Sequence, residues 1–372
     1  MRVVQVIHSL RKGGAERVAL ELALGFSERG ISNGIVSLLD VNEYDEPRYS
    51  RVAVRSLIPA SQYSWPGCVP KLASNLKRVL AELNPGVIEL HTPTAAIVAG
   101  FASLKVPSAQ VFHCPPRVDS FKNRIFRALE RWAYWRLKYR PITVSESLVP
   151  FVAAHIRCRP SAVKVVHNGV DRDLFRYCER PLPPSTDICV IGTLADKKRP
   201  QDAVRAFHLL QQQLPAARLQ LIGDGDLRES LQGMIDSLGL HDSALLLGRR
   251  DDVPQLLAHS AVLWMLSSAD SEGLPMVCIE AMAMGVPVIG TEVIGVRDAV
   301  GARKMLVGVG DVQATAEKTR KLLTDPVGYR RASKYAHERA ASLFSLDSMI
   351  DGHLDALLQS DRLPAAVVEL DS

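Results

Sequence analysis

The stretch Glu272-Gly273-Leu274-Pro275-Met276-Val277-Cys278-Ile279-Glu280-Ala281-Met282-Ala283-Met284-Gly285-Val286-Pro287-Val288 decides how the chain is read. It follows an apolar run at residues 262–265 and a polar loop at 267–271. Pro275 suits the first turn of a helix, where its missing N–H costs no hydrogen bond. The helix runs on through residues 277–284, and Gly285 is the residue type that ends a helix. Pro287 then opens the next strand, a place where a missing ladder donor is tolerated. Strand, loop, helix and strand in so short a space describe one unit of a parallel sheet.

The same alternation extends in both directions. Toward the N-terminus, apolar runs at residues 3–7, 35–39, 52–54, 87–90, 109–112, 142–144 and 163–166 read as strands. Helical spacing at 15–28, 71–83, 95–104 and 120–139 separates several of them. The pattern breaks at 172–187, which holds Pro181, Pro183 and Pro184 and has the composition of a linker. A second series then follows. Strands are expected at 188–191, 219–222, 245–247, 262–265, 288–289 and 305–307. Helices are expected at 201–213, 227–238, 253–258 and 277–284, then at 312–323, 327–342 and 346–358. The expected fold class is α/β, with two facing doubly wound domains. Residues 1–171 form one, 172–187 the linker, 188–345 the other, and 346–372 a C-terminal helix with a frayed tail from 361. Ligands of such sheets bind at the carboxyl ends of the strands.

Composition agrees with a globular protein. Of 372 residues 47% are apolar and 23% charged, which excludes wholesale disorder and collagen. The net charge of +5 is unevenly spread: residues 1–186 carry 26 Lys and Arg against 15 Asp and Glu, a balance of +11, and the remainder sums to −6. An anion or an anionic surface is therefore expected on the N-terminal half. The six cysteines form no CxxC pair and no zinc-finger spacing, so free thiols in a reducing cytosol are expected. No secretory signal opens the chain, and no apolar run approaches the ~18 residues of a membrane span. The expected location is cytoplasmic, with peripheral attachment to the inner face of the membrane.

Several loops carry chemistry. The two carboxylates Glu272 and Glu280 flank one helix N-terminus, whose N–H groups can hold a diphosphate. Each carboxylate can accept from two vicinal hydroxyls and so suits a sugar ring. Arg11-Lys12-Gly13-Gly14-Ala15-Glu16 links the first strand to the first helix, and its glycines let backbone approach a ligand. Lys197-Lys198-Arg199 places three cations in a strand-to-helix loop. His113 ends a strand before Pro115 and Pro116, which force an extended turn. Asp171-Arg172-Asp173 and Asp224-Gly225-Asp226 spell Asp-x-Asp, but neither has a further ligand nearby, and no metal is expected. Gly223-Asp224-Gly225 fails the dinucleotide fingerprint, because Arg228 occupies the third glycine position. From Arg117 to Arg140 there are eight Lys and Arg and two Asp and Glu, with Phe121, Phe126, Trp132, Tyr134, Trp135 and Tyr139 among them. Val118, Phe121, Ile125, Leu129, Trp132 and Tyr139 recur at helical spacing. That stripe reads as packing on the sheet; its cations and exposed aromatics also suit an anionic membrane.

Together these residues resemble the retaining glycosyltransferases of family 4, which have two facing Rossmann-like domains in the GT-B architecture. The Glu272–Glu280 spacing matches their paired-glutamate motif. The match continues through Gly285, Pro287-Val288-Ile289, Thr291 and Gly295-Val296-Arg297-Asp298. Gly13-Gly14-Ala15-Glu16, His167-Asn168-Gly169-Val170-Asp171 and Gly223-Asp224-Gly225 follow the family's order. The resemblance implies a nucleotide-sugar donor, UDP favoured and GDP next, bound mainly by the C-terminal domain, with the acceptor at the N-terminal one. It implies that Glu280 binds the ribose and Glu272 the transferred sugar, with Gly273, Leu274, Pro275 and Met276 around sugar and diphosphate. His113 would contact the sugar near the reacting centre, Gly13 and Gly14 would lie beside the diphosphate, and Lys198 would bind it. The family usually has arginine where this chain has Thr193.

The activity implied is retaining, metal-independent transfer, without cofactor, to a sugar or lipid-linked acceptor in polysaccharide or glycoconjugate synthesis, with no role for nucleic acid. Two alternatives accompany it: another enzyme on this fold, such as a nucleotide-sugar epimerase, and an inactive partner in a glycosyltransferase assembly.

Overall fold

Every expected apolar run except the third becomes a parallel strand close to where the sequence puts it. The computed structural model describes residues 2–116, 121–180, 183, 185–269 and 272–359, without the side chains of 121–123. Two compact units emerge, one comprising the chain up to Asn168 together with the chain from Leu346, the other Gly169–Ser345.

The first unit carries β1 (Arg2–Ile7), β2 (Ser32–Leu39), β3 (Val54–Ile58), β4 (Val87–Leu90), β5 (Ser108–Phe112), β6 (Arg140–Thr143) and β7 (Lys164–Val165). Their order in the sheet is β3-β2-β1-β4-β5-β6-β7. Its helices are α1 (Gly14–Glu28), α2 (Val69–Leu83), α3 (Pro93–Phe101), α4 (Phe121–Leu137) and α5 (Val149–Ile156). The third strand was expected at 52–54. It lies further on, pairing Val54 with Ile35 and Ile58 with Leu39. Ladder pairing overrode the short apolar run. The core is aliphatic, built on Val4, Val6, Val36, Leu72, Ile88 and Leu90.

The second unit carries β8 (Asp187–Ile191), β9 (Arg218–Ile222), β10 (Ala244–Gly248), β11 (Val262–Met265), β12 (Val288–Thr291) and β13 (Leu306–Val307), ordered β10-β9-β8-β11-β12-β13. Its helices are α6 (Pro200–Gln211), α7 (Arg228–Ser237), α8 (Val253–His259), α9 (Met276–Ala283), α10 (Val296–Val300), α11 (Val312–Thr324) and α12 (Pro326–Leu343). Counted within the unit this is the order 3-2-1-4-5-6 of a Rossmann-like sheet. Trp264 is fully buried, and its indole N–H is satisfied by Thr319 Oγ1 at 2.9 Å.

Two boundaries differ from the sequence reading. Residues 172–187 were expected to be a linker, yet they belong to the second unit. Phe175 is buried, and Tyr177 stacks on His337 at 3.7 Å between ring centroids. The Arg180 guanidinium donates to the carbonyls of Ser260, Ala258 and Leu257 at 2.9, 3.0 and 3.2 Å. That satisfies the orphaned carboxyl end of α8. Pro181 and Pro184 lie outside the described residues. The last helix, α13 (Leu346–Leu358), joins the first unit instead of standing apart. Arg29 pairs with its Asp347 and Asp351 at 2.9 and 3.0 Å, and the bare Cα of Gly25 admits Ile350. The tail from residue 361 lies outside the described residues.

Candidate functional site

In the second sheet the chain order reverses between β8 and β11, so the loops after those strands diverge and leave a crevice at their carboxyl ends. Lys198 follows β8 and Glu272 follows β11. The Lys198 ammonium donates to Glu272 Oε1, and Ser267 Oγ donates to the same oxygen at 2.8 Å. Ser267 is in turn fixed through its carbonyl, which accepts from Thr291 Oγ1 at 2.7 Å. Residues following or closing three neighbouring strands thus hold one carboxylate that is only 8% exposed.

The Glu272–Gly273 backbone is pressed from behind by Gly295, whose φ is +54°. A Cβ on Gly295 would lie 2.6 Å from the Gly273 carbonyl oxygen and 2.8 Å from the Glu272 carbonyl carbon. The loop that carries Lys198 is braced in the same way. Gly223 has φ +138°, and a Cβ there would sit 2.0 Å from the Gly192 oxygen. Gly223-Asp224-Gly225 is therefore a site of backbone-on-backbone packing.

Gly273, Leu274 and Pro275 are buried, and the half-buried Met276 opens α9. Pro275 stands at the N-cap, one place before the first turn expected for it. Glu280 is 3% exposed on that helix. The Cys278 thiol on the same helix is pushed up, first by burial and then by the charge of Glu272. Gly285 (φ +75°) ends the helix as expected. Of the three cations, Lys198 is held by Glu272, Arg199 by the buried Asp202, and Lys197 is exposed, as is Thr193. Among the described residues no group of three or more His, Cys, Asp or Glu could hold a metal ion.

The first sheet has its own reversal between β1 and β4. Gly13 and Gly14 follow β1, with Gly14 opening α1. Gly13 N–H donates to Tyr44 Oη at 3.1 Å, and the Tyr44 hydroxyl donates back to the Gly13 carbonyl at 2.8 Å. Glu16 folds back toward Gly13, where a Cβ would lie 2.5 Å from its Oε2, and burial raises its pKa. The turn is thus tied down, with a carboxylate of its own at the helix start. Lys12 leans 3.9 Å from both Asp45 and Glu46.

His113 follows β5 and is half-buried. Its Nε2 lies 3.2 Å from Nδ1 of His91, and the rings stack at 5.5 Å with a 20° tilt. His91, fully buried after β4, brings Nε2 to 3.5 Å from Glu89 Oε2. The other Glu89 oxygen meets Nδ1 of His353 on α13 at 2.6 Å. Burial, then the charges of His91 and His353, hold His113 well below its usual pKa. Burial alone would raise the Glu89 pKa. The charge and hydrogen bond of His353, then those of His91, outweigh it and hold the carboxyl below its usual range. The sequence reading missed Glu89, His91 and His353. The signal was there for two of them: a carboxylate inside the apolar run 87–90, and a histidine ending that strand as His113 ends the next.

Helix α4 corrects the expected stripe. Ile125 is 52% and Trp132 39% exposed, so these two members of the stripe do not pack on the sheet, whereas Tyr139 is buried in the core. The buried face carries Glu130 and Ala133 instead. Glu130 accepts from Gln110 Nε2 at 2.7 Å and meets His155 Nε2 at 2.6 Å. Trp135 is exposed too, and Trp132 lies 4.7 Å from the exposed Phe101. Arg124, Arg136 and Lys138 are exposed on the same helix and its end. Val118 and the side chain of Phe121 lie outside the described residues. Among the described residues no helix is long and apolar enough to cross a membrane.

Comparison with known proteins follows the two units. Residues 12–174 match the family model for Glycosyltransferase Family 4, and residues 180–339 match that for glycosyl transferases group 1. The N-acetyl-alpha-D-glucosaminyl L-malate synthase of Bacillus anthracis is 36% identical over 218 residues, 56% of each chain. The chain spans about half the length of the curated relatives it matches first, 56% in this case. The 2-deoxystreptamine N-acetyl-D-glucosaminyltransferase of Streptomyces fradiae is 25% identical over 86% of this chain and 84% of that protein. Among solved structures, Anabaena HepE in complex with UDP superposes with a TM-score of 0.81 at 20% identity, covering 96% of this chain and all of that one. At that identity the likeness speaks for the fold, two Rossmann-like domains of the GT-B kind. With the strand orders, the paired glutamates and both family models in agreement, the chain belongs to the family 4, group 1 glycosyltransferases.

Proposed function

We propose that the protein transfers a sugar from a nucleoside-diphosphate donor to an acceptor hydroxyl, with retention at the anomeric carbon and without a metal. The observation that carries this reading is the pairing of Lys198 with Glu272 ahead of α9, the helix on which the buried Glu280 lies. Glu280 accepts from the two ribose hydroxyls. On donor arrival the Lys198 ammonium exchanges Glu272 for the diphosphate, and Glu272 turns to the hydroxyls of the sugar. Gly273, Leu274, Pro275 and Met276 enclose sugar and diphosphate, Gly13 and Gly14 are assigned to the diphosphate, and His113 is assigned to the sugar. Cleavage of the glycosidic bond leaves negative charge on the departing diphosphate. Lys198 and the N–H groups opening α9 stabilise it. The leaving phosphate, on the face the acceptor attacks, takes the acceptor's proton, so no protein general base is assigned.

UDP-sugars are the favoured donors and GDP-sugars the next. HepE has been solved with UDP-glucose, and the Bacillus relative's name contains an N-acetylglucosaminyl group. The acceptor is lipid-linked, in polysaccharide or glycoconjugate synthesis at the inner face of the membrane. The exposed Ile125, Trp132 and Trp135 beside Arg124, Arg136 and Lys138 favour that reading. A second reading, an inactive partner in an assembly, has Thr193 in its favour, a neutral exposed side chain where the family's arginine is expected.

A thermal-shift screen of nucleoside diphosphates tests the donor site, because a ligand stabilises by RT ln(1 + [L]/Kd). UDP is expected to raise the melting temperature most. UDP-sugar hydrolysis without acceptor then separates an enzyme from an inactive partner.

A further inference from the structure

Helix α12 holds two other helices by their carboxyl ends. His337 Nδ1 lies 2.9 Å from the Ala283 carbonyl, and the Ser333 hydroxyl donates to the Gly285 carbonyl at 2.6 Å, both at the end of α9. A carbonyl oxygen has no hydrogen to give, so His337 Nδ1 carries it. Arg339 donates through Nε and Nη2 to the carbonyls of Ala299 and Asp298 at 2.8 and 2.7 Å, both in α10. Tyr335 Oη donates to the last carbonyl of α10, that of Val300, at 3.4 Å. Residues four apart share one side of a helix, so Ser333 with His337 and Tyr335 with Arg339 form two neighbouring rows. Donors, one of them a guanidinium, thus meet the orphaned carbonyls at the negative ends of both helices. Glycine makes the room. A Cβ on Gly285 would lie 2.9 Å from Tyr177 Cε2 and 3.1 Å from Ser333 Oγ, and one on Gly301 would lie 2.5 Å from Arg339 Cζ.

The opposite ends of α9 and α10 both lie at the Glu272 loop. Helix α9 opens directly after Gly273-Leu274-Pro275, and Pro275 gives it no side-chain cap. Helix α10 opens at Gly295, the residue that presses on the Glu272–Gly273 backbone. Burial of Cys278 and Ile279 holds α9 on the sheet, but apolar burial is non-directional. Hydrogen bonds at the carboxyl end fix the height and rotation of a helix of 8 residues, about 12 Å long.

We propose that α12 is the brace of the donor site, with His337 and Arg339 as positioning residues. His337 fixes α9 and so Glu280; Arg339 fixes α10 and, through Gly295, the backbone of Glu272 and Gly273. The proposal rests on the donor reading above for the ligand, while the brace is a property of the free protein.

Amide hydrogen exchange on the full chain without ligand tests the brace. In His337→Leu the amides of 279–285 are expected to exchange roughly 2–12-fold faster, the range of one net hydrogen bond, with β8 and β9 unchanged. His337→Asn, whose side-chain amide can donate in place of Nδ1, is expected to restore the native rate. Native exchange over 279–285 in a folded His337→Leu protein overturns the proposal, as does uniform acceleration across the second unit, the mark of a merely structural residue. Should His337→Leu fail to fold, Arg339→Leu makes the same comparison over 298–302. Calorimetry with UDP and 2′-deoxy-UDP tests the link to Glu280. The preference for UDP is expected to shrink in His337→Leu, as in Glu280→Ala, and to return in His337→Asn. An unchanged preference in His337→Leu, where Glu280→Ala has lost it, overturns the positioning role alone. A natural protein that fails to bind UDP overturns the donor reading instead, and exchange then decides the brace.

Discussion

The ammonium of Lys198 is seated on the carboxylate of Glu272, 74 residues further along the chain. Each group thus holds the other in place while no donor is bound. Lys198→Ala is expected to weaken nucleoside diphosphate binding more than monophosphate binding. Hydrogen bonds to charged groups contribute about 1.5–3 kcal/mol, or about 10–150-fold. Titration calorimetry with UDP and UMP makes the comparison; an equal loss for both would remove Lys198 from the distal phosphate. Glu272→Gln is expected to lower turnover more than nucleotide affinity, since it keeps shape and loses charge.

Glu280→Ala takes a buried acceptor from the ribose. UDP affinity is expected to fall by about 10–150-fold on the same scale. An unchanged dissociation constant would place the ribose elsewhere.

Gly295→Ala tests the support behind Glu272. Its Cβ would meet backbone atoms at 2.6 and 2.8 Å, and φ is +54°. Such strain costs about 1–3 kcal/mol. A lower melting temperature and a loss of turnover are expected together. A variant with native turnover would show that the loop can retreat without moving Glu272.

Acid should destabilise the first unit in two stages. The folded-state pKa of His113 lies well below its ordinary 6.5, so the unfolded chain binds the proton first, and stability falls as pH drops below that value. Glu89 is also depressed, from 4.5, and adds a second loss below that pH. Melting temperature against pH should decline less between 6.5 and 5 in His113→Gln than in the natural protein. An identical profile would detach the first stage from His113.

The face of α4 predicts salt-sensitive binding to anionic vesicles and little to neutral ones. Each cation near such a surface contributes about 1 kcal/mol, and salt screens it. Equal co-sedimentation with both kinds, or none at low salt, would point to a soluble acceptor. Transfer is expected to survive a chelator; complete, metal-reversible loss would contradict the metal-free proposal.

The donor half was legible because its residues are neighbours in sequence or follow adjacent strands. Glu272, Gly273, Pro275 and Glu280 share one loop and helix, and glycine and proline announce where that helix starts and stops. The line behind His113 was not legible. Glu89 and His353 are 264 residues apart, and only the return of α13 brings them together. Helix α4 misled for a related reason. Its apolar spacing is real, but Gln110 and His155 draw Glu130 inward and turn Ile125 and Trp132 out. A buried carboxylate with two partners outweighed the hydrophobic pattern.

The return of α13 also sets an order of events during synthesis. Val170 N–H donates to the Phe344 carbonyl at 2.9 Å, so the second unit begins and ends at one point and is an insertion within the first. On a ribosome adding roughly 5–20 residues per second, roughly ten to forty seconds separate Asn168 from the end of α13. Throughout that interval Glu89 is without the His353 imidazole, and the insert has all its own residues before its host does. The N-terminal half of the gene is therefore the half whose product matures last.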